Sequence, residues 1–297
     1  MVMGAAFFWG TSATLAKFLL NQQLDTLLIV QTRTTFSALI LFAFLLGWSR
    51  ESLRIQRSDV WRFAILGILG VAGANFTYYF TIKESSVATA ITIQYTAPLF
   101  VMAYEVITRE ERFTVAKLAA ALLAFAGCFL AVNAFGQSSM HITSLGLLTG
   151  AGSIFSFALL TIMSRHLLAR YSAWTVTLYG IIFAALFWLI INPPSRVIAL
   201  NPSAETLGVL FVLAMCSILI PNLLYTLGLR SLVPSRAVIT STLEPVIAIV
   251  TAAIFIGEVL TFVQVISALF VVAAIILLQV SREESPNSNS GDLNASQ

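Results

Sequence analysis

Two stretches of this chain share a proline, a glutamate and a threonine at one fixed spacing: TAPLFVMAYEVITREERFT at residues 96–114 and LEPVIAIVTAAIFIGEVLT at residues 243–261. The offset between them is 147 residues, and identities outside the two stretches keep it. The matched positions are Pro98/Pro245, Glu111/Glu258, Thr114/Thr261, Asn75/Asn222 and Tyr78/Tyr225. Self-similarity at one fixed period marks an internal repeat. The sequence therefore predicts a duplicated half, with repeat 1 at residues 1–135 and repeat 2 at residues 144–280.

The composition around these stretches is typical of a membrane protein. Apolar residues make up 59% of the chain and charged residues 10%, with a mean hydropathy of +0.93, whereas soluble proteins average about 45–50% and about 25%. Apolar segments long enough to cross a hydrocarbon core of about 30 Å lie at residues 2–20, 26–48, 61–82, 87–106, 114–135, 144–164, 172–192, 206–229, 235–256 and 259–280. The connections are too short to form a separate catalytic or nucleic-acid-binding domain. We predict an all-α integral membrane fold.

The number of segments per half decides the architecture. Each half has five predicted spans, so its second copy must enter the bilayer the other way up. We predict ten transmembrane helices, as two inverted five-helix repeats, in a single transmembrane domain at residues 1–280. This architecture is common among secondary transporters.

The basic residues predict the orientation. Arginine and lysine concentrate in the loops after even-numbered spans, so the positive-inside rule predicts cytoplasmic termini. The net charge of +3 then requires no nucleic acid. We expect a cell membrane location, in a bacterial inner membrane. The polar residues 281–297 are predicted to be a disordered cytoplasmic tail.

Predicted spans four and nine each contain a proline, Pro98 and Pro245. A proline inside a helix removes one backbone hydrogen bond and exposes a carbonyl about one turn earlier, here near Gln94 and Ser241. That carbonyl needs a partner within the protein or a wet cavity. The symmetric placement favours two cavity walls over the alternative, a simple packing kink.

Polar and aromatic side chains share one face of two further spans. In span three, Asn75, Tyr78 and Tyr79 have the i, i+3 and i+4 spacing of a common helix face. Span eight repeats the pattern with Asn222 and Tyr225. Buried amides and hydroxyls need hydrogen-bond partners. Two interpretations stay open: the groups bond helix to helix, or they line a substrate path.

Three of the ionisable residues inside the spans are candidates for a functional role, because a charge is costly there. A charge at the bilayer centre costs at least about 2.5–3.5 kcal/mol on insertion scales. Glu244 lies midway along span nine, and Thr240 and Thr251 fall on its helical face, so its carboxyl is predicted to face a polar interior. Lys17 and Arg33 lie nearer the membrane surface, where snorkelling is the alternative to a functional role.

A cluster of charges lies at the end of span four: Glu105, Arg109, Glu110, Glu111 and Arg112. Ordinary surface ion pairs are expected to explain most of it. We further expect Glu111, like its counterpart Glu258, to cap the N-terminus of the following helix.

A family resemblance rests on several of these motifs together. They are Trp9-Gly10 with Lys17 in span one, Pro98…Glu111, Glu244-Pro245…Glu258, and Gly127 in span five. With ten spans and a duplication, they make residues 4–280 similar to the EamA-type family of the drug/metabolite transporter superfamily. The resemblance implies an alternating-access carrier of ten helices with cytoplasmic termini, whose members move amino acids, nucleotide sugars or other small metabolites.

Rival functions find less support in the sequence. An embedded enzyme would need a motif such as HExxH or GxSxG, and a nucleotide-driven pump a GxxxxGK[ST] loop, and none occurs. Cys128 and Cys216 have no metal-binding spacing and are interpreted as small core residues. We expect no cofactor and no metal. A gradient-driven channel or facilitator remains the alternative to a carrier.

The substrate class follows from the charges available. Carriers of highly anionic substrates gather several cations, whereas only Arg33 and Lys17 are available here. A zwitterionic amino acid or a small neutral metabolite fits better. The monomer or a weak homodimer is expected. Predicted substrate-binding or coupling residues are Trp9, Arg33, Asn75, Tyr78, Tyr79, Gln94, Tyr95, Asn222, Tyr225, Thr240 and Glu244.

Overall fold

The computed structural model describes residues 1–21, 26–84, 87–133, 143–193, 195, 203–256 and 261–283. Within these ranges the chain is helical and contains no β-strand. The helices are α1 (Val2–Asn21), α2 (Thr26–Trp48), α3 (Val60–Ile65), π1 (Leu66–Ala72), α4 (Gly73–Glu84), α5 (Val87–Gln94), α6 (Ala97–Ile107), α7 (Val115–Asn133), α8 (Ser144–Leu167), α9 (Ala173–Ile191), α10 (Ala204–Ala214), π2 (Met215–Leu219), α11 (Ile220–Gly228), α12 (Pro234–Ser241), α13 (Leu243–Ile256) and α14 (Phe262–Glu283). The all-helical prediction is confirmed for the described part of the chain.

Membrane-spanning length is reached by six helical stretches of the described residues. They are Leu27–Trp48, Arg57–Tyr78, Ser144–Leu167, Ala173–Ile191, Ala204–Gly228 and Phe262–Val280, and Val115–Leu130 is a shorter apolar helix. Large apolar side chains such as Phe42, Leu148 and Ile254 are exposed, as expected of surfaces that face lipid. The chain is therefore a multi-spanning membrane protein. The count of ten and the cytoplasmic termini stay predictions.

Predicted spans four and nine are each divided in two. Span four separates into α5 and α6 at Tyr95–Thr96, and span nine separates into α12 and α13 at Thr242. The Thr96 and Thr242 hydroxyls donate to backbone carbonyls three residues earlier, at 2.7 and 2.6 Å. Each break lies just before a proline, as the sequence predicts.

Spans three and eight each contain a π-helical turn in the middle. The turns π1 and π2 end at Ala72 and Leu219, which are 147 residues apart. A π turn displaces the usual i−4 hydrogen bond and leaves a carbonyl to be satisfied in another way. The side-chain amides of Asn75 and Asn222 donate to the carbonyls four residues earlier, at 2.8 and 2.7 Å. The matched asparagines therefore stabilise matched irregularities.

Close helix contacts hold the bundle together. The most extensive helix–helix contact among the described residues joins α7 and α14, and α4 packs along α8. Gly127 lies where α7 meets α14, and a Cβ there would be 2.8 Å from the Ser267 carbonyl oxygen. Near one end of the bundle, Gln31 and Asn192 exchange two hydrogen bonds of 2.7 and 2.6 Å and join α2 to the end of α9.

The cap of α7 corrects one sequence prediction. Thr114 accepts the Lys117 backbone N–H at 3.3 Å, because α7 begins at Val115 and places Thr114 at the N-cap position. Glu111 instead forms an ion pair with the Lys117 ammonium at 2.6 Å. Its counterpart Glu258 lies outside the described residues. At the start of α14, Thr261 and Gln264 form a capping box, in which each side chain accepts the backbone N–H of the other.

The boundary of the predicted tail also moves. Residues 281–283 belong to α14, which ends at Glu283. Arginine and glutamate are good helix formers, so a change from apolar to polar residues does not by itself end a helix. Residues 284–297 lie outside the described part of the chain.

Candidate transport site

A tyrosine and a glutamate from the two predicted halves meet at the helix breaks. The Tyr95 hydroxyl donates to Glu244 Oε2 at 3.0 Å. Tyr95 is buried at the end of α5, whereas Glu244 near the start of α13 is half-buried. Tyr95 packs in an apolar cluster with Cys128. The predicted residues Tyr95 and Glu244 are thus brought together, and Tyr78 is half-buried on α4.

Helix α1 lies directly behind this pair. A Cβ on Gly10 would be 2.6 Å from the Glu244 carbonyl oxygen and 3.0 Å from the Ile247 side chain. Only glycine permits so close an approach of two helix backbones. Gly10 therefore allows α1 to pack directly against the Glu244 backbone.

A second polar group surrounds Arg33 of α2. Arg33 is 6% exposed, and its guanidinium donates to Asn75 Oδ1 at 2.6 Å and to Ser217 Oγ at 3.4 Å. The side chain points into the bundle, so the snorkelling alternative is wrong for Arg33. Asn75 and Tyr78 lie one turn apart on α4.

The Tyr225 side chain is fully enclosed by neighbouring helices in the core. It is 1% exposed, and its hydroxyl is 2.9 Å from that of Thr161 on α8. The ring packs between Trp9 and Phe157, with ring centroids 5.5 and 6.1 Å away. In this conformation, Tyr225 and Trp9 join α1, α8 and α11.

The remaining predicted residues are more scattered. Gln94, Thr240 and Asn222 are half-buried, and the Thr240 hydroxyl donates to the Arg236 carbonyl at 2.7 Å. Thr240 belongs to α12 and precedes the break, so the spacing that placed it on the face of Glu244 assumed a continuous helix that does not exist. The side chains of Tyr79 and Lys17 lie outside the described residues.

The charge cluster at the end of span four is less superficial than predicted. Glu105 is 1% exposed and accepts the Ser235 backbone N–H at 3.0 Å, which caps the N-terminus of α12. Glu110 pairs instead with His166 of α8, at 3.2 Å. The surface-pair expectation is wrong for Glu105, because the end of α6 packs against α12 and encloses this carboxyl.

The same end of the bundle carries a second buried acid, Asp59. It accepts hydrogen bonds from the Tyr171 hydroxyl at 2.7 Å and from Arg62 and Arg170 at 2.9 and 3.3 Å. Burial raises the pKa of Tyr171, so its hydroxyl stays protonated and can donate. This arrangement fixes the loop between α8 and α9 to the start of α3.

Several interior residues were missed in the sequence. Ser217 and Thr161 are single hydroxyls in apolar segments, and no local pattern distinguishes them from packing residues. The π turns were missed because no local sequence pattern distinguishes them from a regular helix. Among the described residues, no three His, Cys, Asp or Glu side chains lie close enough together to hold a metal ion.

An apolar helical bundle with acid, arginine, amide and tyrosine side chains inside is the arrangement of a membrane transport protein. The model of the EamA-like transporter family matches residues 1–133 and 144–280. The chain belongs to the EamA-like transporter family.

Named relatives are also transporters. The chain is 26% identical to the uncharacterized inner membrane transporter YicL of Salmonella typhimurium over 94% of each protein. It is 27% identical to an uncharacterized transporter of Archaeoglobus fulgidus, over 89% of this chain and 90% of the other. It is 27% identical to the threonine/homoserine exporter RhtA of Escherichia coli K12, over 83% and 79%.

A solved structure has the same fold. This crystal structure aligns with a TM-score of 0.79 and 20% identity, covering 96% of this chain and 97% of the other. At that identity the likeness shows the fold alone.

Proposed function

We propose that this protein is a secondary transporter, an exporter or exchanger of a small metabolite such as an amino acid, that works by alternating access around a central site. The observation that carries the proposal is the Tyr95–Glu244 hydrogen bond, which joins broken helices of the two predicted halves. Broken helices with an acid at their junction are where secondary transporters of inverted-repeat architecture bind substrates and coupling ions.

The charges favour a zwitterionic substrate. Glu244 can accept an ammonium group, and tyrosine hydroxyls offer hydrogen bonds to the rest of a small molecule. Arg33 supplies one interior cation, which can attract the carboxylate group of such a substrate. The RhtA relatives, exporters of threonine and homoserine by name, support an amino acid as the first substrate class to test.

Alternating access requires that the helices closing one end of the bundle move apart. At the end that the basic residues assign to the cytoplasm, Glu105 joins α6 to α12, and Arg165 donates to the Leu229 carbonyl at 2.6 Å and joins α8 to α11. We infer that these bonds break when the site opens toward the cytoplasm. Two five-helix halves in the predicted inverted orientation provide the symmetry for such a motion.

The first experiment measures uptake by purified protein in proteoliposomes. A panel of labelled amino acids, beginning with threonine and homoserine, is tested with and without a pH gradient. The proposal predicts saturable uptake of at least one compound above that of empty liposomes. Linear uptake without saturation would favour the channel or facilitator alternative, and chemical conversion of the compound would favour an enzyme.

A substitution then separates two roles of Glu244. Glu244→Gln preserves the shape and removes the titrating carboxyl. If Glu244 carries a proton, gradient-driven uptake collapses while exchange persists. If it neutralises the substrate ammonium, binding and exchange both weaken, by roughly 10-fold or more for a charged hydrogen bond of about 1.5–3 kcal/mol.

The control for this substitution is Glu205→Gln, which makes the same chemical change at an exposed acid in the first turn of α10. Its rates should equal those of the native protein. Native rates for Glu244→Gln in both assays, with normal folding, would remove Glu244 from the site.

A further inference from the structure

Arg33 lies between the two π-helical turns, which belong to different halves of the chain. One guanidinium nitrogen donates to Asn75, which follows π1, and another donates to Ser217 within π2. One turn further along α2, the Ser37 hydroxyl lies 3.0 Å from the carbonyl oxygen of Ala214, the residue directly before π2. Helix α2 therefore contacts the irregular part of both spans.

Both acceptors of Arg33 are themselves tied to backbone carbonyls of the irregular regions. The Asn75 amide donates to the Val71 carbonyl of π1. The Ser217 hydroxyl donates to the Leu213 carbonyl at 2.6 Å, which leaves its lone pairs to accept from Arg33. A change in either π turn would thus move an acceptor atom of the guanidinium.

The chemistry of arginine suits this position better than that of lysine. Its planar guanidinium holds several N–H groups in a rigid fork, so two acceptors on different helices are held at a fixed separation. An ammonium on a flexible stem cannot fix two acceptors in this way. The charge is buried, and interior charges are costly enough in a membrane that a specific role is expected.

We propose that Arg33 is a positioning residue that couples the two π-helical turns, so that a rearrangement in one half is transmitted to the other. π-helical turns are common at functional sites and interrupt an otherwise uniform helix. Coupling between them would keep the two halves in step during alternating access. The inference rests on the proposed transport function, but its first test does not require transport.

The first test is hydrogen–deuterium exchange of the purified protein in detergent. Asn75→Ala cuts one end of the connection, and the amides of residues 215–219 in the other half should exchange faster, by roughly threefold or more, as expected for loss of a hydrogen bond. Arg33→Lys should have the same effect in both turns. Unchanged exchange at 215–219 in Asn75→Ala would overturn the proposal.

Thr77→Val provides a matched control for this measurement. Thr77 lies on the same helix as Asn75, and its hydroxyl also bonds a carbonyl four residues earlier, at 2.7 Å. The described hydrogen bonds of Thr77 stay within α4, so its loss should leave exchange at 215–219 unchanged. An equal effect of Thr77→Val and Asn75→Ala would show general loosening and contradict a specific connection.

The second test measures exchange transport per folded transporter in a set of combined variants. Asn75→Ala and Ser217→Ala should each lower the turnover rate by roughly threefold to tenfold. Together they should lower it no further than the more severe single change, because either one disconnects the turns. In an Arg33→Met background, neither should lower it again.

Independent contributions would give a different pattern. Multiplication of the two single effects, a further loss in the Arg33→Met background, or no loss in either single variant would overturn the coupling role. Absence of saturable transport in the native protein would contradict the proposed function instead, and the hydrogen-exchange result would still decide the connection.

Discussion

Replacing Gly10 by alanine tests how closely α1 and α13 must approach behind the central pair. The added Cβ would lie 2.6 Å from the Glu244 carbonyl oxygen, whereas ordinary contact begins at 3.4 Å. The helices must therefore separate by roughly 0.8 Å. Because the opposing atom is backbone, no side-chain rotation relieves the overlap. Overpacking of this kind costs about 1–3 kcal/mol.

The assay is thermal unfolding of purified variants in detergent. At about 2 °C per kcal/mol for a chain of this size, Gly10→Ala should lower the Tm by roughly 2–6 °C. Turnover should also fall, because the Glu244 backbone is displaced. Gly47→Ala and Gly208→Ala make the same change where no atom lies within 4 Å.

Those two controls should be neutral or gain up to about 1 kcal/mol, since alanine is the better helix former. The reasoning predicts a difference between positions, not a general effect of alanine. A Tm for Gly10→Ala equal to that of Gly208→Ala would refute the close approach of α1 and α13.

Three further predictions concern stability in the same thermal assay. Asn192→Ala removes the hydrogen bond from the Asn192 amide to Gln31 Oε1, leaves a buried acceptor unpaired and should cost about 1–3 kcal/mol; an unchanged Tm would show that this bond contributes nothing. Arg109→Gly should raise the Tm, because Arg109 has a φ of 60°, a strain of about 1–2 kcal/mol that glycine does not have; a lower Tm would contradict this. Glu105→Ala should be more destabilising than Glu110→Ala, because Glu105 is a buried helix cap whose loss costs about 1 kcal/mol, and equal effects would argue against that cap.

The helical fold was predictable because the sequence encodes it in composition and periodicity. Apolar segments long enough to cross a bilayer can be read from hydropathy alone. The breaks at Tyr95–Thr96 and at Thr242 were also predictable, since proline removes a helix hydrogen bond wherever it stands. The threonine at each break, whose hydroxyl bonds a carbonyl three residues earlier, was not singled out from the sequence.

The site was only partly predictable, because tertiary contacts define it. The pattern indicated Tyr95 and Glu244 separately, but their 3.0 Å bond depends on how α5 and α13 cross. Glu105 was likewise misjudged from the sequence, because its burial depends on tertiary contacts. A glutamate among charged neighbours is predicted to lie on the surface, and only the packing of α6 against α12 makes it a buried helix cap.

The partners of Arg33 had no sequence signal. A single serine in an apolar span does not predict a π turn, and the Arg33–Ser217 contact joins residues 184 positions apart. The Asn75/Asn222 identity was visible, whereas its meaning, a carbonyl left by a π turn, required the backbone geometry.

The most direct test of the proposed carrier is counterflow. Proteoliposomes containing the purified chain are loaded with an unlabelled amino acid mixture and diluted into the same mixture carrying label. An alternating-access carrier predicts saturable entry of label that is accelerated by the internal substrate, with the acceleration dependent on native protein. Entry no faster than into empty liposomes, or entry that neither saturates nor responds to the internal amino acids, would contradict it.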